Sequence, residues 1–413
     1  MHFRSSSVRR ITTLAALVFV AVFAVPAHAT EKILHNFNPS AKDGSSPNPS
    51  LIMDSAGNLY GTTFAGGANF VGTAFKLTPN GSGGWTEQIL HNFGASTNDG
   101  TYPQGGLVMD SAGNLYGTTN TGGGKNQGVV FELSPKTTGG WSYRVLHSFG
   151  NGTDGQGPQD SLVLDSAGSL YGTAMLGGAF QAGIVFQLTP VTGGGWTYAI
   201  LHQFGNSSDG KYPRGNLTFD GSGNLYGTTE EGGTFNDGTI FELLPSSGGA
   251  WTEAILHECD FNFVDGWGSN AGVVFGPGGN IYATMNQGGS LNEGAVIEMT
   301  PNGGGGWNES VIYNFGEAGD GYAPFAVNPT FDSAGNLYGT AQQGPGTTFF
   351  GIAFELSPDG SGGWTETQLH VFGHGKDGAY AQGSLLRDAS GNLYGITIQG
   401  GAFGQGTVFE LTP

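Results

Sequence analysis

Asp54-Ser55-Ala56-Gly57-Asn58-Leu59-Tyr60-Gly61-Thr62 is the stretch whose reading decides the fold, because the chain repeats it seven times. The same nine residues stand at Asp110 to Thr118 and at Asp332 to Thr340, and four looser copies complete the seven. Their tyrosines fall at Tyr60, Tyr116, Tyr171, Tyr226, Tyr282, Tyr338 and Tyr394, always 55 or 56 residues apart. A fixed period of that size marks units that must stack on their neighbours to bury an apolar face. A residue present in every unit is explained by architecture first, so the fold is easier to read than the activity.

Each unit divides into four strand-like pieces. In the second, Gly106 to Met109 is apolar, Ser111-Ala112-Gly113 turns, and Asn114 to Thr118 leads back out. After the glycines at 122–124, Val129 to Leu133 forms a third piece ended by Pro135; Gly139-Gly140 then turns into Trp141 to His147. Short β-branched and aromatic runs bounded by Gly, Pro and Asn predict strands. Four antiparallel strands per unit, seven times over, predict an all-β, seven-bladed β-propeller. Thr30 to Phe37 matches the fourth strand at Thr86 to Phe93, whereas the chain stops after a third strand at Thr407 to Leu411. The N-terminal strand is therefore expected to complete the seventh blade, closing residues 30–413 into one domain without open sheet edges.

Residues 1–29 read as a secretory signal: Arg4, Arg9 and Arg10, an apolar run from Leu14 to Val25, then Ala27-His28-Ala29. Cleavage is expected after Ala29, giving a secreted or periplasmic chain. The apolar run falls short of a bilayer span, and none is expected in the mature chain. The signal holds three of the 13 basic residues and none of the 32 acidic ones, so its removal deepens the net charge from −19 to −22. That excess disfavours nucleic acid and anionic membrane surfaces as partners. Cys259 is the single cysteine, so no internal disulfide forms, and a buried thiol is expected.

The motif Asp-x-x-Gly-Asn-Leu-Tyr-Gly-Thr-Thr, then Gly-Gly, Gly-x-x-Phe-Glu-Leu-x-Pro and Gly-Gly-Trp-Thr, resembles the GloVer tandem-repeat proteins over residues 31–413. The resemblance implies an exported bacterial protein of propeller-like fold and brings no catalytic residues with it. Members often carry a C-terminal surface anchor; no sorting tail precedes Pro413, so an unanchored protein is expected. The Gly-Asn-Leu-Tyr hairpin is also similar to repeats in lactonase and streptogramin-lyase propellers, a likeness of fold alone.

Chemistry is sought in the loops that cross from one blade to the next. Asp-Gly recurs there at Asp43, Asp99, Asp154, Asp209, Asp265, Asp320 and Asp377. A carboxylate ring of this kind is a weak metal candidate. Ca²⁺ needs six to eight converging oxygens, no Asp-x-Asp-x-Asp-Gly loop is present, and Asp before Gly also builds turns. No cofactor is expected. Six residues before each hairpin acid, or its replacement, stand Asn48, Gln104, Gln159, Arg214, Asn270 and Gln382, with Phe325 near this place in the sixth unit. Tyr102, Tyr212, Trp267, Tyr322 and Tyr380 share those loops. Amides offer paired donors and acceptors and aromatic faces stack on sugar rings, so this set is the ligand-like surface, most simply for a glycan. In the bland reading the tyrosines pack on the preceding blade and the amides satisfy loop backbone.

The fourth-strand histidines (His35, His91, His147, His202, His257 and His370, with Tyr313 in the sixth unit) read as one structural hydrogen-bond network repeated within each blade, and the six repeated tryptophans as blade packing. The fifth unit departs most from the consensus, with Gly276 for the acid, Ala283 for glycine and Ile297 for phenylalanine. The preferred expectation is a monomeric, non-catalytic binding module for a glycan or protein. The alternatives are a propeller enzyme of lactonase, lyase or glycosidase type, and a structural envelope or matrix protein. An enzyme should gather two or three blade-specific acids or histidines at the channel mouth.

Overall fold

A computed structural model describes residues 29–38, 42–260, 266–317, 320–325, 327–344 and 350–413. They form a ring of seven small antiparallel sheets, as the repeat count predicts. The second blade runs Val108–Met109, Leu115–Thr119, Val129–Pro135 and Trp141–Ser148. Its innermost strand is shorter than the apolar run at Gly106 implied. Gly105 and Gly106 instead abut the next and the preceding blade: a Cβ on Gly105 would stand 2.5 Å from the Asp160 carbonyl. Close approach near the axis takes these residues out of the ladder.

The repeated hairpin is a small hydrogen-bond device. One oxygen of Asp54 accepts the N–H groups of Ala56 and Asn58, and the other accepts the Asn58 amide and the Tyr60 hydroxyl, all within 2.9 Å. Glycine at position 57 takes φ of 78°, which the turn requires. The tyrosine ring then packs across the seam: Trp141 of the second blade lies edge-on to Tyr60 of the first, centroids 6.3 Å apart. Trp196 meets Tyr116 and Trp251 meets Tyr171 in the same way.

The apolar clusters sit between blades. One joins Tyr116, Val130 and Phe149 to Leu162, Leu170 and Phe186 of the following blade. The phenylalanine two residues after each histidine is fully buried at Phe37, Phe93, Phe149, Phe204 and Phe372, as is Phe315 after Tyr313. Cys259 takes that place in the fourth blade and is 2% exposed, the buried thiol expected. The fifth blade's departures compensate one another. Elsewhere a glycine faces a phenylalanine across the two middle strands, Gly117 against Phe131, with room for no Cβ. In the fifth blade Ala283 faces Ile297, so an added methyl meets a smaller partner.

The seventh blade closes as predicted. Thr30–Asn36 pairs antiparallel with Thr407–Thr412, with Thr30 opposite Thr412 and Asn36 opposite Thr407. Among the described residues no helix is long and apolar enough to cross a membrane.

Candidate functional site: the axial cavity

Inner strands are tied to one another around the axis. The Thr62 hydroxyl donates to the Gly105 carbonyl, Thr118 to Asp160, Thr228 to Ala271 and Thr340 to Gly383, at 2.8–2.9 Å. These bonds hold the segments that enter four of the inner strands close to the axis, and the residue before each carbonyl lines the space there. A cavity of about 330 Å³ opens there. Asn48, Gln104, Gln159, Arg214, Asn270, Phe325 and Gln382 all line it, one from each blade. A throat of about 40 Å³ continues beneath, between residues that include Gly105, Asp160, Gly215 and Asn328.

Part of the polar ring is already engaged. The Asn48 amide donates to the Thr62 hydroxyl at 2.8 Å and to the Pro103 carbonyl at 2.7 Å. Gln159 reaches the Met175 sulfur at 3.3 Å, and Arg214 Nε lies 2.7 Å from Glu230. Asn270 Oδ1 is buried with no donor facing it. Gln104 and Gln382 complete the amide lining, and Phe325 supplies one apolar wall.

The aromatic members of the predicted surface lie elsewhere. None of Tyr102, Tyr212, Trp267, Tyr322 and Tyr380 lines the cavity. Tyr102 packs at a tilt on Phe64 of the preceding blade at 5.1 Å, and Tyr380 meets Phe350 of its preceding blade at 6.0 Å. Tyr102, Tyr212 and Tyr380 hold φ of 55–58°. Their N–H groups bond to the Val71, Ala182 and Phe350 carbonyls of the preceding blade. Trp267 and Tyr322 bridge to Gln287 and Gln343 within their own blades.

Nor do the crossing-loop aspartates gather at a mouth. Asp43, Asp99, Asp154, Asp209 and Asp377 each take the Nε2 of their own outer-strand histidine, at 2.9–3.2 Å. Asp320 accepts from Tyr313, the residue in the histidine's place, at 2.9 Å. Asp265 lies outside the described residues. The same carboxylates accept loop N–H groups, as Asp154 does from Gly150 and Asn151. Among the described residues, a glutamate of the next blade's outer strand joins the pair at three junctions: Glu87, Glu253 and Glu31. Burial first, and the neighbouring aspartate second, pushes Glu87 and Glu253 up to about 9 and Glu31 to about 7.

The sequence profile of the Gloeobacter/Verrucomicrobia repeat matches residues 21–149, 88–265, 136–328 and 268–413, overlapping windows that reach every blade. The chain belongs to this repeat family. The GloVer resemblance read from its motifs therefore holds. No curated protein matches the chain. Among solved structures, it is similar to a protein from Thermus thermophilus assigned as an oxidoreductase (glucose dehydrogenase). That match has 17% identity and a TM-score of 0.45, covering 74% of this chain and 95% of the other. So remote a likeness brings no chemistry with it.

Asp160 also sets this GloVer ring apart from a symmetric one, and the repeat motif does not mark it. Asp160 occupies a place held by Pro49, Gly105, Gly215, Ala271 and Gly383 in other blades. It lines both cavity and throat. Its Oδ2 accepts the Thr173 hydroxyl at 3.0 Å, so Thr173 bonds within its own blade rather than across to the next. Burial raises its pKa above the ordinary carboxylate range, against the pull of Thr173, the Gly215 N–H and Arg214. The signal was a single acid at a position otherwise small or Pro.

Proposed function

We propose that this chain is an exported propeller that binds a small, neutral, hydroxyl-rich ligand, most simply a carbohydrate, in its axial cavity. The observation that carries the reading is the convergence of five amide side chains, one guanidinium and one phenyl ring, each from a different blade, on one cavity of about 330 Å³. That volume lies within the range of roughly 300–1,000 Å³ typical of small-molecule pockets. Amides serve hydroxyl groups as both donor and acceptor, and the orphan Asn270 oxygen asks for a donor. The strand Thr30–Asn36 begins just after the proposed cleavage point, so removal of the leader would spare it.

A glycan array followed by calorimetry tests this reading. Gln104→Ala is expected to weaken a bound glycan by about tenfold, the worth of one hydrogen bond. Tyr212→Ala, whose ring lies off the cavity, should leave affinity within about twofold. Equal losses would move the site to the loops, and silence across the array would remove the glycan reading.

A catalytic reading rests on Asp160 alone, a carboxyl whose raised pKa suits proton donation to a leaving group. Turnover of lactones or glycosides that Asp160→Asn abolishes without loss of binding would favour it.

A further inference from the structure

We infer that three blade junctions of this propeller bind a divalent transition-metal ion, each through one histidine and two carboxylates drawn from adjoining blades. The sets are His202, Asp209 and Glu253; His35, Asp43 and Glu87; and His370, Asp377 and Glu31, the donor atoms of each lying within 4.8 Å of one another. At the first, His202 Nε2 stands 3.1 Å from Asp209 and 3.7 Å from Glu253. Donors around a tetrahedral zinc at 2.0–2.2 Å stand about 3.3–3.6 Å apart, so small shifts would seat an ion.

A second observation points the same way. Asp209 is 8% exposed, yet its Oδ1 has no hydrogen-bond partner, and Glu253 Oε1 is likewise buried without one. Two carboxyl groups thus meet with bare oxygens in a low-dielectric place, where only a proton or a cation between them removes the penalty. A cleft of about 440 Å³, lined by His202, Asp209 and Glu253, leads from solvent to the set. One imidazole and two carboxylates, with water in the fourth position, suit zinc or manganese.

The ring supplies its own controls. Tyr143 and Tyr198 stand in the glutamate's place at two junctions and stack on His91 and His147, with ring centroids 3.9 and 4.0 Å away. Tyr313 replaces the histidine at another. Of the three complete sets among the described residues, two flank the closing strand: Glu31 joins the sixth blade's His370, and His35 joins the first blade's Glu87. Metal bound there would clamp the strand that shuts the ring from both sides.

The test is to strip the chain of residues 30–413 with chelator, equilibrate it with Zn²⁺, and count bound metal by mass spectrometry. Each of Glu253→Gln and Glu31→Gln, near-isosteric changes, is expected to lower the count by one per chain. Glu366→Gln, at the junction bearing Tyr313, should leave it unchanged. Zinc should also raise the melting temperature of the wild-type chain, and less so that of Glu31→Gln. No retained zinc, or a count unmoved by both ligand changes in folded protein, would overturn the inference and assign the junctions a shared proton instead.

Discussion

Asp54 illustrates how one carboxylate organises a hairpin. Burial alone would raise its pKa, but the donors from Asn58, Tyr60 and Ala56 outweigh it and hold the group below its ordinary value; Asp110, Asp332 and Asp388 behave alike. A carboxyl whose folded pKa is depressed stabilises the fold above its unfolded value of about 3.9, and that contribution is lost as pH falls through the folded value. The melting temperature is therefore expected to drop steeply below about pH 4. Asp54→Asn should cost about 1–2 kcal/mol at neutral pH, from weaker hydrogen bonds, and flatten that acid limb. A thermal-melt series from pH 2 to 7 checks both. At this scale the hairpin turn was legible from its recurrence, with the acid standing in six of the seven units. Asp160 was not, because a lone departure from a repeat looks the same whether it is neutral or useful until its neighbours are known.

The blade shows which parts of an element a linear pattern can carry. The third and fourth strands were legible because apolar alternation and bounding glycines lie within one short run, as in Val129–Pro135 and Trp141–Ser148. The inner strand was over-read, since what ends it is the neighbouring blade. For the same reason the junction glutamates were invisible: Glu253 meets Asp209 through the ring, 44 residues away in sequence. The Gly–Phe pairing offers a quantitative test. Gly117→Ala would press a methyl on the Phe131 ring, 2.7 Å from its ideal Cβ, and is expected to cost about 1–3 kcal/mol. Adding Phe131→Ile, the combination the fifth blade already uses, should recover at least half of what the two single changes lose together. A double-mutant cycle by denaturant unfolding measures the coupling, and strict additivity would refute the compensation.

For the whole molecule, closure rests on one strand. Deleting residues 30–36 would bare the edge of Thr407–Thr412, a ready template for pairing with another chain. Size-exclusion chromatography of a chain lacking that strand is expected to show dimers or larger species where the intact chain elutes at its own mass. The seven-fold ring and its closure were legible from the repeat count and the unequal ends. The cavity lining was legible too, since a fixed offset from the hairpin acid or its replacement places one residue at the axis in six blades, with Phe325 one position out in the sixth. The aromatic members lie off that lining, because Tyr102 and Tyr380, each two positions before an amide, pack back on the preceding blade, and Trp267 and Tyr322 bridge within their own.

The offset between the repeat as written and the blade as built has a consequence for how such chains grow. Each coded unit starts with an outer strand that belongs to the blade before it and stops at a third strand awaiting the next unit. Duplicating or losing one unit of the gene therefore adds or removes a whole blade's worth of strands and always leaves complementary ends. Copy number can drift by whole units without an orphaned strand, and the ring has a first blade only in the order of synthesis.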